Sequence, residues 1–125
     1  MKRIVIADDS ETARMFIRRC LEIVGLQDTE FVEAENGKVA LARLKEMEVD
    51  LLITDLNMPV MDGEVLLKWV KANPRLTVIP VLIITSAANE ARVRELKQLG
   101  AYEVLNKPIS PAKLVQALAP LRQDG

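Results

Sequence analysis

The sequence predicts an α/β fold in which five parallel strands alternate with five helices, (βα)5. Short apolar runs of strand length recur along the chain, separated by segments with helical periodicity, and this alternation is the sequence sign of βαβ units. Three of the runs, Ile4-Val5-Ile6, Leu51-Leu52-Ile53 and Val81-Leu82-Ile83-Ile84, are continuously apolar rather than alternating. Strands read that way when helices cover both faces of a parallel sheet.

The first strand is expected near Arg3–Ala7, and the first helix over Glu11–Val24, where Ala13, Phe16, Ile17, Cys20 and Val24 recur at helical spacing. Ser10 can cap its amino end and Gly25 follows its last turn as a stop signal. A second strand at Glu30–Ala34 leads to a helix at Lys38–Met47, and a third strand at Asp50–Thr54 leads to a helix at Glu64–Ala72. Asp62-Gly63 reads as the turn and start of that helix, and Trp69, beside the Leu66/Val70 stripe, is expected to be partly buried. The fourth pair is a strand at Pro80–Thr85 and a helix at Glu90–Leu99, set between the cap Asn89 and the stop Gly100. The fifth is a strand at Glu103–Leu105 and a helix at Pro111–Leu121, with Ser110 as cap and Pro111 where a missing N–H costs nothing. Right-handed crossovers leave few topologies for this order, and the flavodoxin-like strand order 2-1-3-4-5 leads.

Half of the 125 residues are apolar, enough for a substantial core, and no repeat, linker or low-complexity tract interrupts them, so residues 1–125 read as one domain. With 17 basic and 18 acidic residues the net charge is −1, without the clustered Lys and Arg that a nucleic-acid backbone or an anionic membrane surface calls for. Lys2-Arg3 precedes an apolar stretch that ends at Asp8, too short for a signal peptide, and no segment approaches the roughly 20 apolar residues of a membrane helix. The single cysteine, Cys20, has no internal partner and reads as a buried structural thiol. A reducing, cytoplasmic setting is expected.

Functional signals fall where strands end. Asp8 and Asp9 close the first apolar run, Asp55 closes the third and Lys107 follows the fifth, so the carboxyl edge of a parallel sheet would bring them to one rim. Three carboxylates and one ammonium leave two negative charges, which one divalent cation neutralises. Mg²⁺ suits such oxygen donors and brings phosphate oxygens with it. A flavin phosphate or a dinucleotide does not suit them: the turn after the first strand is Ala7-Asp8-Asp9-Ser10-Glu11-Thr12, and no G-x-G-x-x-G follows any strand.

These residues match a known pattern. Asp55-Leu56-Asn57-Met58-Pro59-Val60-Met61-Asp62-Gly63, together with Asp8-Asp9, Thr85-Ser86 and Lys107-Pro108, closely resembles the receiver domain of bacterial two-component response regulators, particularly stand-alone chemotaxis-type ones. The resemblance covers essentially the whole chain. It implies a phosphoacceptor module rather than an enzyme. Asp55 would take a phosphoryl group from a sensor histidine kinase, a histidine phosphotransfer protein or a small phosphodonor. Asp9 would bind Mg²⁺ directly, Asp8 mainly through water, and Asp55 and the main-chain carbonyl of Asn57 would complete the protein ligands. Lys107 and the Thr85 hydroxyl would meet phosphoryl oxygens, and the Lys107-Pro108 bond would be cis. A monomer is implied, signalling to a downstream target through the face of the fourth helix, fifth strand and fifth helix, where Arg92, Lys97, Tyr102, Lys113 and Gln116 lie.

Some positions depart from the family. The aromatic on the fifth strand that usually moves with the threonine is replaced by Val104, so Thr85 movement would be sensed by repacking around Val104 or through Tyr102. Ile109 stands where an aromatic is frequent and should alter packing more than chemistry. Asn57 and Ala87 occupy the two positions that tune attack of water on the acyl phosphate, and the Ala87 methyl cannot orient a water. A phosphorylation-independent receiver-like scaffold is the alternative, motivated by Val104. A Mg²⁺-dependent phosphohydrolase is disfavoured, because such enzymes commonly place a second acid where Asn57 stands and no insertion here is large enough for a lid.

Overall fold

In a computed structural model that describes residues 1–122, five parallel strands lie in the order β2-β1-β3-β4-β5. They are β1 (Arg3–Ala7), β2 (Glu30–Ala34), β3 (Leu51–Asp55), β4 (Val81–Thr85) and β5 (Glu103–Asn106). Between and after them run α1 (Glu11–Ile23), α2 (Gly37–Glu46), α3 (Gly63–Ala72), α4 (Glu90–Gln98) and α5 (Pro111–Leu118), the last tightening into a 3₁₀ turn at Ala119–Arg122. Both the fold class and the strand order agree with the sequence expectation.

The continuously apolar strands are central, and successive residues face opposite layers. Ile4 and Ile6 of β1, Leu51 and Ile53 of β3, and Leu82 and Ile84 of β4 pack with Ile17, Cys20 and Leu21 of α1 and Leu114 and Leu118 of α5. Their alternates Val5, Ala7, Leu52, Val81 and Ile83 pack against Leu41 and Leu44 of α2, Leu66, Leu67 and Val70 of α3, and Leu96 of α4. Cys20 is a buried free thiol, as expected, and burial pushes its pKa up.

Each helix begins with a side chain that accepts from the amide three residues on: Ser10 for Ala13, Asn36 for Val39, Asp62 for Val65, Asn89 for Arg92 and Ser110 for Lys113. Gly25 and Gly100 take the positive φ expected of helix stops, 103° and 109°. Boundaries differ by a residue or more where a particular group decides. Asp50 lies outside β3 because its carboxylate accepts from the amides of Lys2 and Arg3, at 2.7 and 3.0 Å. Pro80 lacks the N–H a ladder needs, so β4 starts at Val81. Pro120 likewise stops regular α-helix before the expected end at Leu121.

Trp69 is a correction. Gly63, Leu66, Leu67 and Val70 fill the inner stripe of α3, and position 69 falls beside it, leaving Trp69 55% exposed rather than turned to the core.

Candidate functional site

The carboxyl ends of β1, β3, β4 and β5 meet on one rim. Asp8 follows β1 directly and is almost wholly buried. Its Oδ1 accepts from the Ser10 amide at 2.9 Å, its own amide donates to the Ala34 carbonyl, and its carbonyl accepts from Arg14 Nη1 at 2.6 Å. Arg14 is itself held by Glu33 at 2.8 Å, so α1 and β2 jointly fix the turn that carries Asp8. Asp9, next in the chain, is exposed. Asp55 is the last residue of β3, buried, with Oδ1 accepting from the Leu56 amide at 2.8 Å. Carboxylate oxygens of Asp8, Asp9 and Asp55 lie within 4.8 Å of one another.

Lys107 spans this cluster from the β5–α5 connection. Its Nζ stands 3.3 Å from Asp8 Oδ2 and 3.4 Å from Asp55 Oδ2, longer than the 2.7–2.9 Å or so of an optimised charge-assisted bond. One ammonium is thus shared between two carboxylates, while the third, Asp9, has no cationic partner among the described residues. Burial works against the lysine charge, but Asp55 and Asp8 outweigh it and hold its pKa above the ordinary lysine value. The Lys107 amide donates to the Thr85 carbonyl at 2.9 Å, and the Lys107-Pro108 bond is cis, as the resemblance implies.

Thr85 closes β4 without solvent exposure. Its Oγ1 accepts from the Ala87 amide at 3.2 Å, which leaves the hydroxyl proton free to donate. Asn106 Oδ1 accepts from the Ala88 amide, so the β4–α4 connection is tied to Thr85 and to the end of β5. Asn57 and Ala87 are exposed at the rim, and Met58 is buried with its sulfur near Thr54 Oγ1, a gap-filling role in keeping with the sequence.

Metal fit follows from this donor set. Three hard oxygen donors converge, they carry more negative charge than Lys107 offsets, and the exposed Asp9 gives access from solvent. Asp8, Asp9 and Asp55 therefore suit a hard divalent cation.

Two glycines matter more than the sequence revealed. A Cβ on Gly63 would lie 2.1 Å from the Asp55 carbonyl oxygen, and one on Gly37 would lie 2.6 Å from that of Met61. Both helices start against the β3–α3 loop, and the Gly63 and Gly37 amides donate to the Leu56 and Met61 carbonyls. Between them Val60 holds φ 70°, a left-handed conformation that is uncomfortable for a β-branched residue and stores strain five residues from Asp55.

Tyr102 does not share the facing of Val104. Val104 packs in the layer of α2, α3 and α4, whereas Tyr102 precedes β5 and its hydroxyl donates to the Ala117 carbonyl of α5 in the opposite layer. The chain turns before regular alternation begins, which removes Tyr102 as a stand-in for the missing aromatic.

A family model, the response regulator receiver domain, matches residues 4–119. The chain belongs to this family. Among its relatives, this receiver domain is 37% identical to the chemotaxis protein CheY-3 of Vibrio cholerae serotype O1, over 93% of this chain and 88% of that protein. It is 36% identical to the chemotaxis protein CheY of Pseudomonas aeruginosa, over 93% and 92%. The crystallised chemotaxis protein CheY4 of Vibrio cholerae superposes with a TM-score of 0.84 at 31% identity, over 96% of this chain and 98% of that one. Receiver domains of this type are two-component signal-transduction modules, and the Asp8/Asp9/Asp55 pocket is consistent with Mg²⁺ binding in that role. No helix among the described residues is long and apolar enough to cross a membrane.

Proposed function

We propose that residues 1–125 act as one cytoplasmic, monomeric phosphoacceptor unit, switched by phosphorylation of Asp55. The carrying observation is Lys107 Nζ held between Asp8 and Asp55 beside Asp9, an acceptor carboxylate with compensating charge already in place. An oxygen of Asp55 attacks the phosphorus of a phosphohistidine, the P–N bond breaks, and the imidazole takes up a proton as it leaves, yielding an acyl phosphate. Lys107 faces the transferred oxygens as a fixed cation, and Thr85 donates its hydroxyl to one of them. Asp8, Asp9, Asp55 and the Asn57 carbonyl would hold Mg²⁺. When bound, the ion neutralises charge on the phosphoryl group.

If Thr85 turns toward a phosphoryl oxygen, its acceptor bond to the Ala87 amide is lost and the β4–α4 loop is freed. Only Leu96 of α4 is fully buried, so this helix is the one most easily rebalanced, by repacking around Val104. Output through α4, β5 and α5 fits that picture. There Lys97 pairs with Glu103, Lys113 Nζ donates to the Pro108 carbonyl, and Gln116 is exposed.

The donor protein has a natural seat. Ala13, Phe16 and Ile17 of α1 with Pro108 and Ile109 line an apolar hollow bordered by Lys107, and Phe16 is half exposed. Phe16→Ala is expected to slow transfer from a phosphohistidine protein by about tenfold, the cost of a lost aromatic anchor, and to leave uptake from acetyl phosphate unchanged. Equal slowing with both donors would show that the hollow does not seat the donor. At the rim, Ala87→Glu is expected to shorten the phosphoryl lifetime severalfold by orienting water, roughly the lower end of general-base effects. Decay of phosphorylated protein followed by intact mass checks it, and a slower variant refutes it. The overall reading is tested by Mg²⁺-dependent gain of one phosphoryl group from acetyl phosphate, with Asp55→Asn as control. No gain with any donor would favour the phosphorylation-independent scaffold.

A further inference from the structure

We propose that the groove between α2 and α3 around Trp69 is a second docking surface, which binds an acidic amphipathic segment of a partner protein whatever the state of Asp55. Leu41 and Lys45 of α2, Trp69 and Ala72 of α3, and Asn73 and Pro74 beyond it line a hollow of about 270 Å³. That is small for a metabolite site, which typically spans about 300–1,000 Å³, and suits one or two apolar side chains of a docked segment. Trp69 is the sole tryptophan of the chain, and Val65, one turn earlier on the same face, is also exposed. A half-exposed tryptophan with an aliphatic neighbour is the residue type that anchors interfaces.

Charge identifies the occupant. The chain as a whole is slightly acidic, yet α2 and α3 carry the basic residues Lys38, Arg43, Lys45 and Lys68 against the acids Glu46 and Glu64, with Lys71 turned away to donate to the Thr77 and Ile79 carbonyls. Both acids are already engaged, Glu46 by Arg43, and Glu64 by Lys68 and Arg92, whose hydrogen bond foremost holds the Glu64 pKa below its ordinary value. Among the described residues Lys38 and Lys45 have no carboxylate partner, and Lys45 borders the groove. A segment with acidic residues flanking an aromatic or leucine anchor complements this surface.

Indifference to phosphorylation follows from the packing. Trp69 lies six residues along α3 from Gly63, roughly 9 Å away from the rim, on a helix pinned by the wholly buried Leu66, Leu67 and Val70. The residues that line the groove are distinct from those of the α4/β5/α5 face, whose Arg92 meets α3 at Glu64, one turn before the groove, so a tether and an output partner could be held together.

Selection from a random dodecapeptide library displayed on phage tests the proposal, followed by calorimetric titration of the recovered peptides. Expected peptides are enriched in Asp and Glu around an aromatic or leucine residue. They should bind Asp55→Asn as well as wild type, and bind Lys45→Glu and Trp69→Ala about tenfold more weakly or worse. Both substituted side chains are exposed, so the variants should fold, which circular dichroism verifies. Failure to recover peptides, recovery without acidic bias, or undiminished binding to the two groove variants would overturn the proposal. So would concentration-dependent dimerisation of the wild type that Trp69→Ala abolishes, which would assign the groove to a second copy of the chain.

Discussion

Asp55→Asn is expected to lose phosphoryl uptake altogether while raising the stability of the metal-free protein. The first effect is chemical. An amide oxygen is a poor nucleophile, and its attack on phosphorus leaves a cationic imidate that readily expels phosphate again, so modification from acetyl phosphate should drop below detection, by at least about a thousandfold. The second effect is electrostatic and has the opposite sign. Oxygens of Asp8, Asp9 and Asp55 lie within 4.8 Å of one another. At an effective dielectric of about 20, each such pair repels by about 3.5 kcal/mol, so Asp55 feels about 7 kcal/mol of repulsion. Its attraction to Lys107 across 3.4 Å is about 5 kcal/mol on the same scale. Repulsion wins, and with discount for the exposure of Asp9 and Lys107 the substitution should stabilise the metal-free fold by about 1 kcal/mol. A melting temperature higher by roughly 4 °C is the expected readout.

Adding Mg²⁺ should reverse that ranking. A cation that binds only the folded state stabilises it in proportion to the logarithm of its concentration over Kd, and removal of one carboxylate weakens the site. Wild type should therefore gain more from millimolar Mg²⁺ than Asp55→Asn does. Thermal melts of both proteins, with Mg²⁺ and with a chelator, decide the matter. Equal gains would mean that Asp55 contributes nothing to the cation site, and a metal-free variant less stable than wild type would mean that Lys107 outweighs the two neighbouring acids.

How much of this was legible in the sequence varies with the distance over which each feature is determined. The strand cores were legible because Ile4-Val5-Ile6 and Leu51-Leu52-Ile53 must be dry on both faces, and a run of apolar residues states this without reference to the rest of the chain. The clustering of Asp8, Asp9 and Asp55 with Lys107 was legible once topology placed all their strand ends on one rim. Less visible were features decided by a partner far along the chain. Asp50 looks like the first residue of a strand until Lys2 and Arg3 present their amides to it. Tyr102, just before β5, looks able to share the facing of Val104 until its hydroxyl finds the Ala117 carbonyl on α5. Trp69 reads as near-core from periodicity alone, because a shift of one position around a helix separates Val70, with no exposure, from a side chain half in solvent.

Gly63→Ala is expected to be the most damaging change of a single methyl in the chain. Glycine before a helix is commonly explained by its conformational freedom, and on that account alanine would cost little here, because Gly63 has no positive φ. The obstacle is space. A Cβ would meet the Asp55 carbonyl oxygen at 2.1 Å and the Leu56 Cα at 2.9 Å, backbone atoms that cannot rotate away as a flexible side chain could. Either α3 retreats from β3, opening the packing of Leu66 and Leu67, or the end of β3 moves and takes Asp55 with it. Both routes also stretch the Gly63 amide bond to the Leu56 carbonyl, now 2.8 Å. Overpacking of this kind costs about 3 kcal/mol, which for a domain of this size lowers the melting temperature by roughly 12 °C. The two routes leave different marks. If α3 yields, the folded fraction of the variant should take up phosphate from acetyl phosphate at close to the wild-type rate. If β3 yields, uptake should fall more than tenfold even well below the melting temperature, because a displacement near 1 Å at a nucleophile costs up to about a hundredfold in rate. A melting temperature within a few degrees of wild type would contradict the close approach itself.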